Sequence, residues 1–215
     1  MLHFLSYPCA AFRQDLRRTA AKILTAVKKT LSAHGAPTIT VVGHSLGAAL
    51  ALLDAVYFHV QLGSSMNVQV VGYGMPRVGN QDFANWVDRN LAVDGNLDGL
   101  VTRITNQKDP IPILPDKFLG FHHVSGEDHI TEWGPWESCP GKLFSSLSSP
   151  RPVCGSVLFC FVFGMLTRAR GPLLFAGQDN PSNMCSVGDV PYLVDGDLGD
   201  HDGPYNGIMM GCSAN

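Results

Sequence analysis

Gly43-His44-Ser45-Leu46-Gly47 sets a serine where an apolar, β-branched segment, Thr38 to Val42, meets an almost wholly apolar helical stretch, Leu46 to Leu62. A serine on so sharp a strand-to-helix turn is presented as a nucleophile on strained backbone, and that context gives the G-x-S-x-G spacing its meaning. Gly43 and Gly47 are expected to be glycines because side chains two positions either side of Ser45 would collide with strand and helix. Ala48 and Ala49 allow the helix to pack closely. The Leu46 backbone N–H, at the helix start, is expected to face a developing oxyanion with the helix dipole behind it.

A serine hydroxyl is a poor nucleophile near neutral pH, so a histidine base and a carboxylate that orients it must follow. Asp109 is the leading acid, because it follows the strand-like Val101 to Thr105 across Asn106-Gln107-Lys108, and Pro110 and Pro112 stiffen its turn. Asp98 and Asp116 read as turn residues and stand as alternatives if that strand is displaced. Four histidines come after Asp109. The base is expected on a loop after the last strand, which points to His201 in Gly199-Asp200-His201-Asp202-Gly203; His122, His123 and His129 sit in strand-like segments and read as packed or surface histidines. Two metal readings are weaker. His122, His123, Glu127 and His129 lack a recognisable open-site zinc spacing, and Asp195, Asp197, Asp200 and Asp202 depart from an EF-hand loop, with Asn206 where a bidentate glutamate is required.

The elements that must position these groups follow from periodicity. Phe12, Leu16, Ile23, Leu24, Val27 and Leu31 fall on one helical stripe ended by Gly35 and Pro37. The basic residues Arg13, Arg17, Arg18, Lys22, Lys28 and Lys29 among them read as a solvated face. Thr38 to Val42, Val68 to Val71 and Val101 to Thr105 read as short buried strands. Asn80 is placed to cap a helix carrying Phe83, Trp86 and Val87, and short strand-like pieces lie near 119–125 and 128–133. Strands alternating with helices predict a mostly parallel sheet in an α/β domain, with its site at the carboxyl ends of the strands.

Composition narrows the classes. The 215 residues are 45% apolar and 15% charged, with a net charge of −3. That is too apolar for a disordered chain and carries no basic excess of the kind nucleic-acid binders show. No apolar run reaches the ~18 residues of a membrane-spanning helix. The six cysteines include no C-x-x-C pair. Six suits an oxidising compartment, yet Met1-Leu2-His3 opens no recognisable signal peptide.

Together, Val41-Val42-Gly43-His44-Ser45-Leu46-Gly47-Ala48-Ala49, Gly72-Tyr73-Gly74-Met75-Pro76-Arg77-Val78-Gly79-Asn80, Asp109-Pro110-Ile111-Pro112-Ile113-Leu114-Pro115 and Asp200-His201-Asp202-Gly203-Pro204-Tyr205 resemble the fungal (class 3) lipase family, which includes Rhizomucor-type triacylglycerol lipases and feruloyl esterases. The resemblance implies the α/β-hydrolase fold, Ser45, Asp109 and His201 as nucleophile, acid and base, and no cofactor. It implies carboxylic esters, usually acylglycerols met at a lipid–water interface, as substrates; a feruloyl or short-chain esterase is the alternative within the family, and a fragment without activity the alternative outside it. It also implies secretion and a short disulfide loop joining Cys139 and Cys185. Cys212 would pair ahead of the chain, leaving Cys9, Cys154 and Cys160 accidental.

Two departures from the family pattern shape the domain reading: a partial domain over 11–215, incomplete at its N-terminal side. Ten residues precede Ala11, too few for the strands, lid and second oxyanion donor the family sets there, so the sheet is expected to expose an edge. Loss of one such donor costs about 10²–10³ in kcat, so weak turnover is expected of this chain. Residues 142–176 interrupt the family pattern and read as a translated intron. Gly141-Lys142 is compatible with a GT-AAG donor, Leu166-Thr167 with a CTGAC branch sequence, and Leu173 to Gly177 with a pyrimidine tract ending in GCAG. Its removal keeps the frame and shortens the Cys139 to Cys185 separation from 46 to 10. A message spanning codons 139–185 decides the matter. Residues 1–10 read as a non-native leader by the same logic.

Overall fold

The computed structural model describes residues 10–63, 66–91, 100–139 and 178–210; the leader, apart from Ala10, and the interruption at 142–176 lie outside the described residues. Helix α1 (Ala10–His34) ends where Gly35 takes φ +62° and returns its N–H to the Leu31 carbonyl at 2.8 Å. The left-handed turn needs a glycine, so the helix stops where the sequence predicts. Strand β1 (Thr38–His44), helix α2 (Leu46–Leu62), strand β2 (Asn67–Tyr73), the short strand β3 (Gly79–Asn80) and helix α3 (Gln81–Asn90) follow. The Asn80 side chain accepts from the Phe83 N–H at 3.0 Å, so it caps α3 as expected.

Strand β4 (Val101–Asn106), β5 (Phe121–His122), β6 (Glu127–Ile130) and β7 (Trp136–Cys139) complete the strands, and a short helix, Ser186–Asp189, precedes the 3-10 turns Leu193–Asp195 and Leu198–His201. The main sheet runs β1-β2-β4-β6-β7, with the first four strands parallel and β7 antiparallel to β6. Strand β7 has no counterpart in the sequence reading, because Trp136-Glu-Ser-Cys139 shows no apolar alternation. Helix α2 lays Ala48, Ala49, Leu52, Leu53 and Ala55 against Val68 and Val70 of β2, with Phe83, Ala84 and Val87 of α3 in the same core. Full burial of each Leu, Val or Phe among them contributes about 1.5–3 kcal/mol, and of each Ala less. Among the described residues no helix is long and apolar enough to cross a membrane.

Strand β1 corrects the sequence reading in two respects. It extends to His44, and it is not buried: Thr38, Thr40 and Val42 are exposed, Val42 by 59%. The reason lies in strand order. Among the described residues β1 pairs on one side only, with β2 in the register Thr38↔Asn67 to His44↔Tyr73, so its other edge and one face meet solvent. The α1 stripe shifts in the same way: Ala20 and Leu24 are buried, whereas Ile23 is 39% exposed beside the open β1 edge.

Candidate active site

Ser45 stands between β1 and α2 with φ 56° and ψ −129°, held by its own N–H to the Tyr73 carbonyl at 2.9 Å. Positive φ in a non-glycine residue costs of order 1–3 kcal/mol and persists only where the surroundings impose it. They do so at Gly43, where a Cβ would come within 2.3 Å of the Gly47 carbonyl oxygen. The matching expectation for Gly47 fails: a Cβ there meets nothing within 4 Å among the described residues. Gly47 contributes its backbone to the close approach, and its own side-chain direction opens to solvent. As first residue of α2, Leu46 has an N–H with no intrahelical acceptor, and its side chain is 62% exposed.

Asp109 comes from the end of β4. Its N–H returns to the Asn106 carbonyl at 2.9 Å, and its Oδ1 accepts from the Ile111 N–H at 2.8 Å. The carboxylate is buried, leaving Oδ2 to accept from His201 Nδ1 at 2.9 Å. On the far side of the ring, Ser45 Oγ lies 2.8 Å from His201 Nε2. Ser45, His201 and Asp109 therefore form one line of two hydrogen bonds, drawn from three separate elements. Asp116 caps the Phe118 N–H at the surface, and Asp98 lies outside the described residues.

The His201 turn is fastened directly to the Asp109 loop. Asn106 Nδ2 donates to the Asp200 carbonyl at 2.9 Å, the Lys108 N–H to Asp200 Oδ2 at 3.1 Å, and the Asp197 N–H to the Lys108 carbonyl at 2.8 Å. The acidic run 195–202 is thus used locally, Asp197 capping Gly199 and Asp200 bridging to Lys108. Tyr205 donates its hydroxyl to the His201 carbonyl at 3.1 Å. Burial first, then the Asp109 charge, push its phenol well above its usual range, so it stays a donor.

Gly74 lies beneath the pair. With φ +54°, a Cβ at this position would sit 2.9 Å from each of Asp109 Oδ2, His201 Nδ1 and His201 Cε1. Gly74→Ala should therefore separate His201 from Asp109 without disturbing the core. A displacement near 1 Å costs on the order of 10² in rate. Labelling of Ser45 by a fluorophosphonate at the wild-type rate in a folded Gly74→Ala protein would count against this role.

The segment bearing His201 is anchored from below. Arg77 Nε meets Asp179 Oδ1 at 2.7 Å, the Ser186 N–H meets Glu127 Oε1 at 2.9 Å, and Cys139 and Cys185 form a disulfide. That disulfide is the pairing the family resemblance implies; Cys9, Cys154, Cys160 and Cys212 lie outside the described residues. Arg103 and Glu127 are fully buried against each other at 3.4 Å, and Thr105 Oγ1 bridges Glu127 and His129 at 2.9 Å each. Burial opposes the Glu127 charge, but Arg103 and Ser186 outweigh it and hold the carboxyl below its ordinary range. His123, pushed down to about 3 by burial and by Arg103, stays neutral with Nε2 2.6 Å from the Pro112 carbonyl. No three His, Cys, Asp or Glu side chains converge as metal ligands among the described residues.

A carboxylate held below its unfolded value stabilises the fold above that value and loses its contribution as pH falls through the folded value. Glu127→Gln should cost up to about 3–5 kcal/mol at pH 7, because the buried Arg103 guanidinium loses the carboxylate it faces. The difference from wild type should shrink as the solution is acidified below the ordinary glutamate range. Urea unfolding at pH 7 and pH 3 checks this; a difference that grows on acidification is the contrary result.

A mostly parallel sheet that presents a serine on a strand-to-helix elbow, with an aspartate and a histidine supplied by later loops, has the α/β-hydrolase fold. The chain belongs to the class 3 lipase family, whose profile matches residues 6–119. It is 36% identical over 148 residues to the secreted mono- and diacylglycerol lipase 2 of Gibberella zeae, covering 66% of this chain and 35% of that one. It is 32% identical over 159 residues to a secreted mono- and diacylglycerol lipase of Malassezia globosa, covering 74% and 45%. In fold it is similar to the lipase from Rhizopus microsporus var. chinensis, with a TM-score of 0.62 at 23% identity over 93% of this chain and 54% of that one. The chain spans less than half the length of the two curated relatives.

Proposed function

We propose that the chain carries the serine, histidine and aspartate of an acylglycerol hydrolase, with Ser45 as nucleophile, His201 as general base and Asp109 as the acid that orients it. The observation that carries the reading is the line Ser45 Oγ to His201 Nε2 at 2.8 Å and His201 Nδ1 to Asp109 Oδ2 at 2.9 Å. As Ser45 Oγ attacks the ester carbonyl, its proton passes to Nε2 and the imidazolium is held by Asp109. The Leu46 N–H, at the positive end of α2, donates to the oxyanion. Collapse of the tetrahedral species expels the glyceride alcohol, which takes the proton back from Nε2. Water, activated by the same nitrogen, then releases the fatty acid from Ser45.

Substrate class comes from the relatives, whose names are those of secreted mono- and diacylglycerol lipases. Partial acylglycerols are accordingly the proposed esters, and the disulfide suits the oxidising setting of a secreted protein. The 142–176 interruption remains, on this reading, an insert foreign to the family domain. Fatty-acid release from dispersed monoacylglycerol, diacylglycerol and triacylglycerol tests the assignment. Release from the first two above the third is the expected order, and preference for triacylglycerol or feruloyl esters would contradict it.

A further inference from the structure

His44, the residue before Ser45, is half-buried, and the mechanism above gives it no task. Its Nε2 lies 2.8 Å from the His201 carbonyl oxygen. A carbonyl only accepts, so that nitrogen carries the hydrogen. The His44 ring also lies against the His201 ring, with centroids 4.6 Å apart and planes tilted by 33°. Tyr205 meets the outer edge of His44 with centroids 6.0 Å apart and planes at 76°, while sending its hydroxyl to the same His201 carbonyl.

The hydrogen bonds of His201 to Ser45 and Asp109 leave its ring one freedom. Both act at ring nitrogens, so together they define an axis about which the imidazole can tip. Tipping leaves Nε2 in place but swings its lone pair off the Ser45 hydroxyl direction, and hydrogen-bond strength falls steeply with angle. A flat side chain against one face resists that motion, and a donor on the carbonyl fixes the 3-10 turn from which the ring hangs.

We propose that His44 is a positioning residue: through its stacked ring and its Nε2–H to the His201 carbonyl, it holds the His201 imidazole in line between Asp109 and Ser45. The inference rests on the proposed function of the three side chains. His44 directly precedes the nucleophile in sequence, so the elbow that presents Ser45 also carries the brace for its base.

The experiment uses the whole 215-residue chain and two variants, His44→Leu, which removes ring and donor, and His44→Gln, which keeps a donor. Two readouts are followed: the rate at which a fluorophosphonate labels Ser45, and the low-field proton resonance of His201 Nδ1–H bound to Asp109. Labelling of His44→Leu should fall about 10²-fold with that resonance broadened or lost, and His44→Gln should recover at least about tenfold of it. A folded His44→Leu that labels at the wild-type rate with the resonance intact overturns the proposal. If His44→Leu does not fold, a folded His44→Gln must still label more slowly than wild type, and equality overturns it. Should wild-type Ser45 resist labelling, the proposed function fails, while the resonance in wild type against the variants still decides the role of His44.

Discussion

Replacing Ser45 by alanine is expected to remove fluorophosphonate labelling altogether and to bring ester hydrolysis to the background rate. Oγ is the only atom of the site in line with His201 Nε2, at 2.8 Å, and no second hydroxyl takes its place there among the described residues. In serine hydrolases with a complete site the loss on removing the nucleophile is on the order of 10⁶ in kcat, because serine and base act as a unit. The fold should tolerate the change. Ser45 at φ 56° is held by its backbone N–H to Tyr73, and alanine leaves that bond in place. Thermal unfolding followed beside activity separates the two effects; hydrolysis persisting in a folded Ser45→Ala protein would mean that another group attacks the ester.

Asp109→Asn should cost about 10⁴ in kcat at nearly unchanged shape. The carboxylate accepts at both oxygens, Oδ1 from Ile111 N–H and Oδ2 from His201 Nδ1–H. An amide can keep only one of these. If its oxygen stays on the Ile111 N–H, its NH₂ faces Nδ1 and stabilises the tautomer with the hydrogen on Nε2, which can no longer take the Ser45 proton. Asparagine also removes the charge that balances the imidazolium. Asp109→Ala should be similarly inactive but less stable, because it leaves the Ile111 N–H without its acceptor. A kcat for Asp109→Asn within tenfold of wild type would remove Asp109 from the mechanism.

Much of the candidate site, the meeting of Ser45, His201 and Asp109, is legible in the sequence because each of the three residues sits at a recognisable junction. Ser45 lies where β-branched periodicity gives way to an apolar helix. Asp109 follows a strand at the distance a short loop allows, and His201 lies on a loop in the segment that ends the described chain. What sequence could not supply is contact across the site. Gly74 and His44 were visible as motif residues, but their roles depend on His201 reaching them from 127 and 157 positions away. The buried ties Arg77–Asp179 and Arg103–Glu127 escape a reading of single segments for the same reason, since their partners lie on different elements. The exposure of strand β1 is not legible, because a β-branched run says that a strand forms and not whether both its edges are covered. The part played by Gly47 is hidden in the same way, because a glycine in a tight motif can serve by its own side-chain direction or by the space its backbone leaves a neighbour, and here Gly43 carries the first need.

The direct test of the central claim is to treat the purified chain with a fluorophosphonate and locate the adduct by peptide mass spectrometry. Ser45, His201 and Asp109 in one hydrogen-bonded line should yield a single adduct on Ser45, absent from Ser45→Ala. No adduct on the folded protein, or an adduct on a different serine, would contradict it.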